Sequence, residues 1–132
     1  TSYTVNAHWS IQQKTSLVRA FDTENDQYLV GIPADRFEYL LRYAFKKNKH
    51  YVSGGITSVA RQTRVEDGSD YSAPPEGYFL VNLNWGMSVR AFDLSLRVSN
   101  ALNTAYRDYL NRFRYYADDQ GRNISFKVAY NF

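Results

Sequence analysis

The sequence contains no cysteine and no long uninterrupted apolar run. The lack of cysteine excludes a disulfide scaffold and thiolate metal sites. Its apolar runs fall far short of the ~18 to 20 residues of a membrane helix, so membrane-spanning helices are excluded as well. Membrane-spanning strands are not excluded, because alternating segments give only a weak hydropathy signal.

An excess of one charge sign is also lacking. The 132 residues include 16 basic and 13 acidic side chains, and the net charge of +3 gives no strong case for a nucleic-acid partner. Aromatic residues, in contrast, are abundant at 17%, with 12 tyrosines among them. Tyrosine at this density suits strands, interfaces or the headgroup belt of a membrane barrel.

Apolar residues recur at every second position, and this period predicts β-strands. The pattern predicts six strands, at residues 3–11, 37–45, 51–64, 79–89, 92–98 and 124–132. The third strand is ambiguous, because Val52 and Ile56 favour one face whereas Tyr51 and Thr57 favour the other. The sequence therefore predicts an all-β protein and leaves the faces of one strand open.

The connections between these strands alternate in length. A two-residue turn at Arg90-Ala91 explains why the apolar positions change from odd to even, since Val89 and Phe92 then pair on one face. A second short connection lies near residues 46–49, and long ones cover about 15–33, 63–77 and 104–121. Tight turns at one end and long loops at the other are typical of an outer-membrane barrel.

The polar faces of the strands carry charged side chains such as Arg42, Asp93, Arg97 and Lys127. A soluble barrel would expose these residues to water, whereas a membrane barrel would enclose them in a wet lumen. Alternation alone does not choose between the two. The length of the apolar faces, and the aromatic residues near the strand ends, favour the membrane barrel.

Several segments resemble the TonB-dependent outer-membrane transporters. Residues 98–106, Val-Ser-Asn-Ala-Leu-Asn-Thr-Ala-Tyr, are similar to the family's penultimate-strand motif, with Ala101-Leu102 in place of the usual Leu-Phe. Residues 121–132 resemble its final strand, and residues 33–45 and 74–78 resemble the starts of two earlier strands. These segments occur in the family's order over essentially the whole chain.

The resemblance implies that residues 1–132 are the C-terminal part of a barrel of the 22-stranded type, with six antiparallel transmembrane strands and no plug domain. It implies energy-coupled uptake of a scarce nutrient, such as a ferric chelate, haem or a vitamin, across the bacterial outer membrane. The implied partners are the remaining barrel and plug, a TonB-type energy-transducing protein, the barrel-assembly machinery, outer-membrane lipid and a small-molecule substrate.

Two sets of residues are candidates for functional roles. Tyr130 and Phe132 resemble the terminal signal that the assembly machinery recognises. The third long loop carries a group rich in arginine and tyrosine, namely Tyr109, Arg112, Arg114, Tyr115 and Tyr116. These side chains suit an acidic or aromatic ligand through hydrogen bonds and cation–π contacts. The alternative is that they pack the loop, with arginine paired to aspartate or lipopolysaccharide.

No motif predicts catalysis or a cofactor. A nucleophile elbow, a phosphate loop and a dinucleotide fingerprint are all missing, so we expect no enzyme activity. His8, predicted on a polar strand face, and His50 lack the spacing of metal ligands. We expect solvated side chains rather than calcium ligands at the loop carboxylates, and a solvated turn rather than a site for lipid headgroups or nucleic acid at the lysines. These residues are Asp67, Asp70, Asp118, Asp119, Lys46, Lys47 and Lys49.

Three alternatives remain open from the sequence. One is a soluble β-barrel that binds a small apolar ligand, and another is a small autonomous membrane barrel, which needs at least ~8 strands. The third is a separate polypeptide that completes a split barrel. For the transporter segment we expect two open edges, at residues 3–11 and 124–132, that pair with strands outside this sequence.

Overall fold

The computed structural model describes residues 1–45, 47, 49–66 and 68–132. Its strands are β1 (Ser2–Thr4), β2 (Trp9–Ser16), β3 (Phe21–Asp22), β4 (Gln27–Tyr28), β5 (Arg36–Phe45), β6 (His50–Val59), β7 (Tyr78–Val89), β8 (Phe92–Ser99) and β9 (Asn123–Tyr130). A 3₁₀ turn forms at Arg112–Tyr115. Over the described part of the chain, no helix is long and apolar enough to cross a membrane.

Seven strands form one sheet in the order β1-β2-β5-β6-β7-β8-β9, and every pair in it is antiparallel. The short strands β3 and β4 pair separately, as a hairpin within the first long loop. The predicted all-β class is confirmed. So is the pairing of Val89 with Phe92 across the two-residue turn.

The prediction of one continuous strand from Tyr3 to Ile11 is wrong. The chain reverses direction at residues 5–8, where the Asn6 side-chain oxygen accepts hydrogen bonds from the backbone N–H groups of His8 (2.9 Å) and Trp9 (3.0 Å). Tyr3 then pairs with Ile11 in the neighbouring strand. Because both numbers are odd, the apolar alternation continues through the turn, and the sequence pattern could not reveal it.

The structure also settles the ambiguous third strand. This strand, β6, ends at Val59 rather than at residue 64. Val52 lies opposite Tyr43, and Ile56 lies opposite Tyr39, so both belong to the apolar face of the sheet. Tyr51 and the other odd-numbered residues of β6 therefore lie on the polar face.

The two faces of the sheet are enclosed to different degrees. On the polar face, Ala44, Thr57 and Leu80 are buried. On the apolar face, Leu41 and Phe79 remain exposed. Since neighbouring side chains crowd together on a concave surface and spread apart on a convex one, the sheet curls around its polar face.

A glycine on the concave face accommodates an aromatic ring. Tyr51 lies opposite Gly86, and its ring occupies the space that a Cβ atom at Gly86 would need. The Arg42 guanidinium lies 3.8 Å from the centre of the same ring, in a cation–π contact. This stack joins β5, β6 and β7 on the polar side of the sheet.

Candidate functional site

The long connections all leave the sheet at the end opposite the short turns. They are L1 (residues 17–35), L2 (residues 60–77, described apart from residue 67) and L3 (residues 100–122). Together we call them the loop layer. Polar contacts join these loops, and those made by Asp35, Gln62 and Arg114 link segments that are distant in the sequence.

Asp35 links L1 to L2. Its carboxylate accepts two hydrogen bonds from Arg19, at 2.6 and 2.9 Å, and one from Arg64 at 3.0 Å. The hydrogen bond from Arg19 is the main cause that holds the pKa of Asp35 below its ordinary value. A carboxylate shared by two guanidinium groups fixes the relative position of both loops.

Gln62 makes the second contact between these loops and is only 1% exposed. Its amide donates hydrogen bonds to the carbonyl oxygens of Ile32 (2.6 Å) and Pro33 (3.2 Å). Its side-chain oxygen accepts one from the backbone N–H of Arg64 at 3.1 Å. No sequence pattern marks this glutamine, because it follows the end of a strand and has only distant partners.

Arg114 links L2 to L3 and is buried. It forms an ion pair with Asp70, donates to the carbonyl oxygen of Tyr109 and lies 4.6 Å from the ring centres of Tyr109 and Tyr115. The Tyr115 hydroxyl also donates to Asp70. Burial acts to raise the pKa of Asp70, but the hydrogen bonds from Tyr115 and Arg114 outweigh it and lower that pKa. The expectation that Asp70 is solvated is wrong, and Asp67 lies outside the described residues.

The L3 carboxylates Asp118 and Asp119 also have protein partners. Asp118 pairs with Arg107 at 2.6 Å. Asp119 accepts hydrogen bonds from the backbone N–H of Asp108 and from the Asn111 amide, both at 2.8 Å. Across the described residues, no group of three or more histidine, aspartate or glutamate side chains could hold a metal ion.

Two asparagines in the motif at residues 98–106 fix the base of L3. Asn100 and Asn103 have φ values of +48° and +55°, in the left-handed region that asparagine tolerates. The buried Asn100 side chain exchanges two hydrogen bonds with the backbone of Thr104, at 2.8 and 2.9 Å. Asn82, on β7, accepts the Asn100 backbone N–H at 3.1 Å. The motif therefore joins the end of β8 to the neighbouring strand.

A cleft of about 640 Å³ opens between the three loops. Its walls come from L1 (Val30, Gly31), L2 (Gly68, Ser69, Asp70, Tyr71) and L3 (Tyr109, Leu110, Arg112, Arg114, Tyr115). That volume lies within the range of small-molecule sites. Tyr71 is 97% exposed, so its ring remains available for a contact.

The five L3 residues proposed from the sequence are brought together, and they differ in accessibility. Arg114 and Tyr109 are buried, and the Arg114 guanidinium is occupied by protein partners. Tyr115 is half-buried, and Arg112 and Tyr116 are exposed. Arg114 therefore packs the loop and is not available to a ligand. Contact with a ligand stays a prediction for Tyr115, Arg112 and Tyr116.

The histidines lie at the other end of the sheet. His8 belongs to the turn at residues 5–8, not to a polar strand face as predicted, and its Nδ1 atom is 2.8 Å from the Ala44 carbonyl oxygen. His50 begins β6 and stacks on Phe45 with a centroid distance of 5.2 Å. Neither histidine lines the cleft.

No protein-family model matches this sequence, and no curated protein matches it. One similar solved structure is the copper transporter OprC, with a TM-score of 0.88 and 22% sequence identity. The similarity covers 99% of this chain and 22% of that one, so the chain spans about a fifth of that transporter's length. The predicted antiparallel barrel-wall fold is confirmed by this agreement.

Proposed function

We propose that this chain is a section of the wall of a TonB-dependent transporter in the bacterial outer membrane. The observation that carries the proposal is the continuous apolar surface on the convex face of the sheet. One cross-strand row on this face consists of Trp9, Tyr43, Val52, Trp85, Leu96 and Phe126. A surface of this kind is stable against lipid chains and unfavourable in water.

The height of the apolar band fits a bilayer. Phe79 to Val89 on β7 spans ten residue steps, about 34 Å along the strand. A strand tilt of about 40° reduces this to about 26 Å, close to the ~25 Å apolar band of outer-membrane barrels. Ile124, Phe126 and Val128 on β9 are 65, 61 and 53% exposed, which argues against a soluble barrel with its apolar face inside.

The two edges of the sheet support its place in a larger barrel. Among the described residues, the outer edges of β1 and β9 have no strand partner. Unpaired backbone groups are costly in hydrocarbon, so further strands would have to pair with both edges. We therefore propose that residues 1–132 form a C-terminal barrel segment whose concave polar face surrounds a plug. Energy coupling would come through a TonB-type protein.

Paired substitutions on β8 test which face meets lipid. Leu96 lies on the convex apolar face, and Ser95 lies on the concave polar face. In the full-length protein, Leu96→Arg should block stable insertion, because a cation near mid-bilayer costs roughly 2 to 4 kcal/mol. Ser95→Arg should insert normally. The measurement is the amount of heat-modifiable barrel in membranes, and equal yields would refute the assignment.

The cleft in the loop layer is the proposed site of ligand contact. Its lining residues include arginine and tyrosine but no cysteine, methionine or histidine, the softer ligands that suit copper. This composition favours an anionic or aromatic carrier molecule, such as a metal chelate, over a bare copper ion. The substrate class proposed here is therefore a negatively charged chelate.

The exposed side chains of the cleft can be tested separately from the buried ones. The double variant Arg112→Ala, Tyr71→Ala should weaken ligand binding without opening the loops, because both side chains line the cleft and are exposed. Binding of candidate ferric chelates to the purified full-length protein is the measurement, with Arg61→Ala as a control outside the cleft. Unchanged affinity in the double variant would leave the loop with a packing role.

We also propose that Tyr130 and Phe132 act as the assembly signal. Tyr130 packs against Phe92 and Phe132 with centroid distances of 5.1 Å each, so the three rings form one exposed cluster. Substituting Phe132 with serine in the full-length protein should lower the yield of inserted protein more than its final stability. A normal surface level would contradict this role.

A further inference from the structure

The short connections of the sheet carry charge of one sign. Residues 5–8, 46–49 and 90–91 contain four lysines or arginines and no aspartate or glutamate. The three long loops contain eleven acidic residues and seven basic ones. The small net charge of the whole chain therefore conceals a separation of charge between the two ends of the sheet.

The short turns lie side by side at one end of the sheet. The His8 carbonyl oxygen accepts the Ala44 N–H at 2.8 Å, and the Lys49 carbonyl oxygen accepts the Ser88 N–H at 2.7 Å. The Ala91 carbonyl oxygen accepts the Asn131 N–H at 2.8 Å. We call residues 5–8, 47, 49, 90 and 91 the short-turn rim. Lys46 lies outside the described residues.

Two cations of the rim occupy backbone positions that favour glycine. Lys47 has a φ of +57°, and Arg90, the first residue of the two-residue turn, has a φ of +54°. Glycine or asparagine would adopt these conformations at lower cost. Both side chains are exposed, and so is that of Lys49. A strained position that keeps a long cationic side chain suggests that the charge itself has a use.

Aromatic rings lie next to the rim on the apolar face. Tyr43 contacts Trp9 and Phe45 with centroid distances of 4.7 and 5.7 Å, and Phe45 stacks on His50. Phe92 packs on Tyr130 nearby. Such belts lie at the level of the lipid headgroups in membrane barrels. The cations just beyond the belt would therefore lie at the level of the lipid phosphates.

In place of the solvated turn expected from the sequence, we propose that the short-turn rim binds the phosphate groups of anionic phospholipids through Lys47, Lys49 and Arg90. The proposal rests on the membrane wall proposed above and goes beyond it by assigning a lipid class to one end of the barrel. The adjoining apolar face provides a surface for the acyl chains of the same lipid. An acidic protein would not need that surface, so lipid is the occupant that fits both the charge and the neighbouring belt.

Lipid titration of the purified full-length protein tests this assignment. Native mass spectrometry would follow binding of short-chain phosphatidylglycerol, with phosphatidylcholine as the zwitterionic probe. The triple variant Lys47→Gly, Lys49→Gln, Arg90→Gly removes three cations, and two of its changes relieve backbone strain, so folding should not suffer. We expect its apparent dissociation constant for phosphatidylglycerol to rise up to about fivefold per cation removed. Binding of phosphatidylcholine should not change.

A matched control removes the same charge elsewhere. Lys14→Gln, Arg61→Gln, Lys127→Gln should leave phosphatidylglycerol binding intact, because these residues lie on the concave face or in L2. Equal weakening in both triple variants would overturn the rim as a site. Unchanged binding in the rim variant would also overturn it and leave an acidic protein as the partner to seek.

Three further outcomes separate this proposal from its alternatives. Excess inorganic phosphate should not displace the lipid, because the aromatic belt holds its acyl chains; displacement would show that the rim recognises free phosphate instead. If the unsubstituted protein inserted as a heat-modifiable barrel but bound neither lipid, the rim site would be overturned and the membrane wall would stand. If it bound both lipids equally, the assignment of the rim to anionic phospholipids would be overturned.

Discussion

The wall of the sheet and the loop layer are stabilised by different interactions. In the wall, backbone ladders join consecutive strands, and each side chain has only to suit the face on which it lies. In the loop layer, single buried polar side chains such as Gln62 and Arg114 join segments distant in the sequence. The effect of a substitution on stability should therefore depend, in the wall, on the volume of the new side chain and the face on which it lies. In the loops it should depend on whether one polar partner is lost.

The largest effect is expected where a buried ion pair joins two loops. Asp70→Ala leaves the Arg114 guanidinium buried without its carboxylate, which should destabilise the closed loops by about 3 to 5 kcal/mol. Faster hydrogen exchange across residues 107–117 would show the opening. Asp118→Ala is the control, because its pair with Arg107 is about half exposed and worth at most ~1 kcal/mol. Equal exchange in both variants would contradict the distinction.

In the wall, the addition of a single methyl group should destabilise the sheet where an aromatic ring covers a glycine. Gly86→Ala collides with Tyr51 and should lower stability by about 1 to 3 kcal/mol, because the ring must move away from Arg42. At Gly54 the nearest atom to an added Cβ is a Leu83 methyl at 3.8 Å, an ordinary contact. Urea unfolding of the inserted protein should therefore show a lower midpoint for Gly86→Ala than for Gly54→Ala. Similar midpoints would refute the role of the ring.

The base of L3 tests a polar contact without a change in backbone preference. Asn100→Gly keeps a residue that tolerates positive φ but removes the side-chain bonds to Thr104, at an expected cost of about 1 to 2 kcal/mol. Asp26→Gly is the matched control, since Asp26 has a φ of +53° and is exposed. Proteolysis of L3 should increase in Asn100→Gly alone.

The smallest expected effect is a dependence of loop stability on pH. It arises because Asp35 and Asp70 both have lowered pKa values in the folded loops. The stability that the two ionised carboxylates give to the loops is fully present above the ordinary carboxyl pKa, about 4. It is lost as the pH falls through the lowered pKa values. The open form then binds protons first, so acid should loosen the loops before the wall. A fluorophore at Phe113→Cys would report this, since the chain has no other cysteine. If the double variant Asp35→Asn, Asp70→Asn had the same pH midpoint as the unsubstituted chain, these carboxylates would not be the cause of the acid opening.

Most of the wall could be predicted from the sequence. Alternation identified four of the six long strands to within two residues, and parity alone paired Val89 with Phe92. It failed at residues 5–8, where a turn preserved the alternation, and at β6, where glycines and mixed polarity hid the faces. The physical reason for both outcomes is that a period of two is a local property of an extended chain.

The loop layer depended on the tertiary structure. The sequence grouped Tyr109, Arg112, Arg114, Tyr115 and Tyr116 correctly in one loop but could not show that Arg114 is buried against a residue 44 positions away. The motif at residues 98–106 was visible as a resemblance, while the left-handed conformation of its asparagines was not. The sequence by itself determined most of the strands and their alternating faces, because alternation is local. Only the tertiary structure decided which loop side chains are accessible, because that depends on partners brought together by folding.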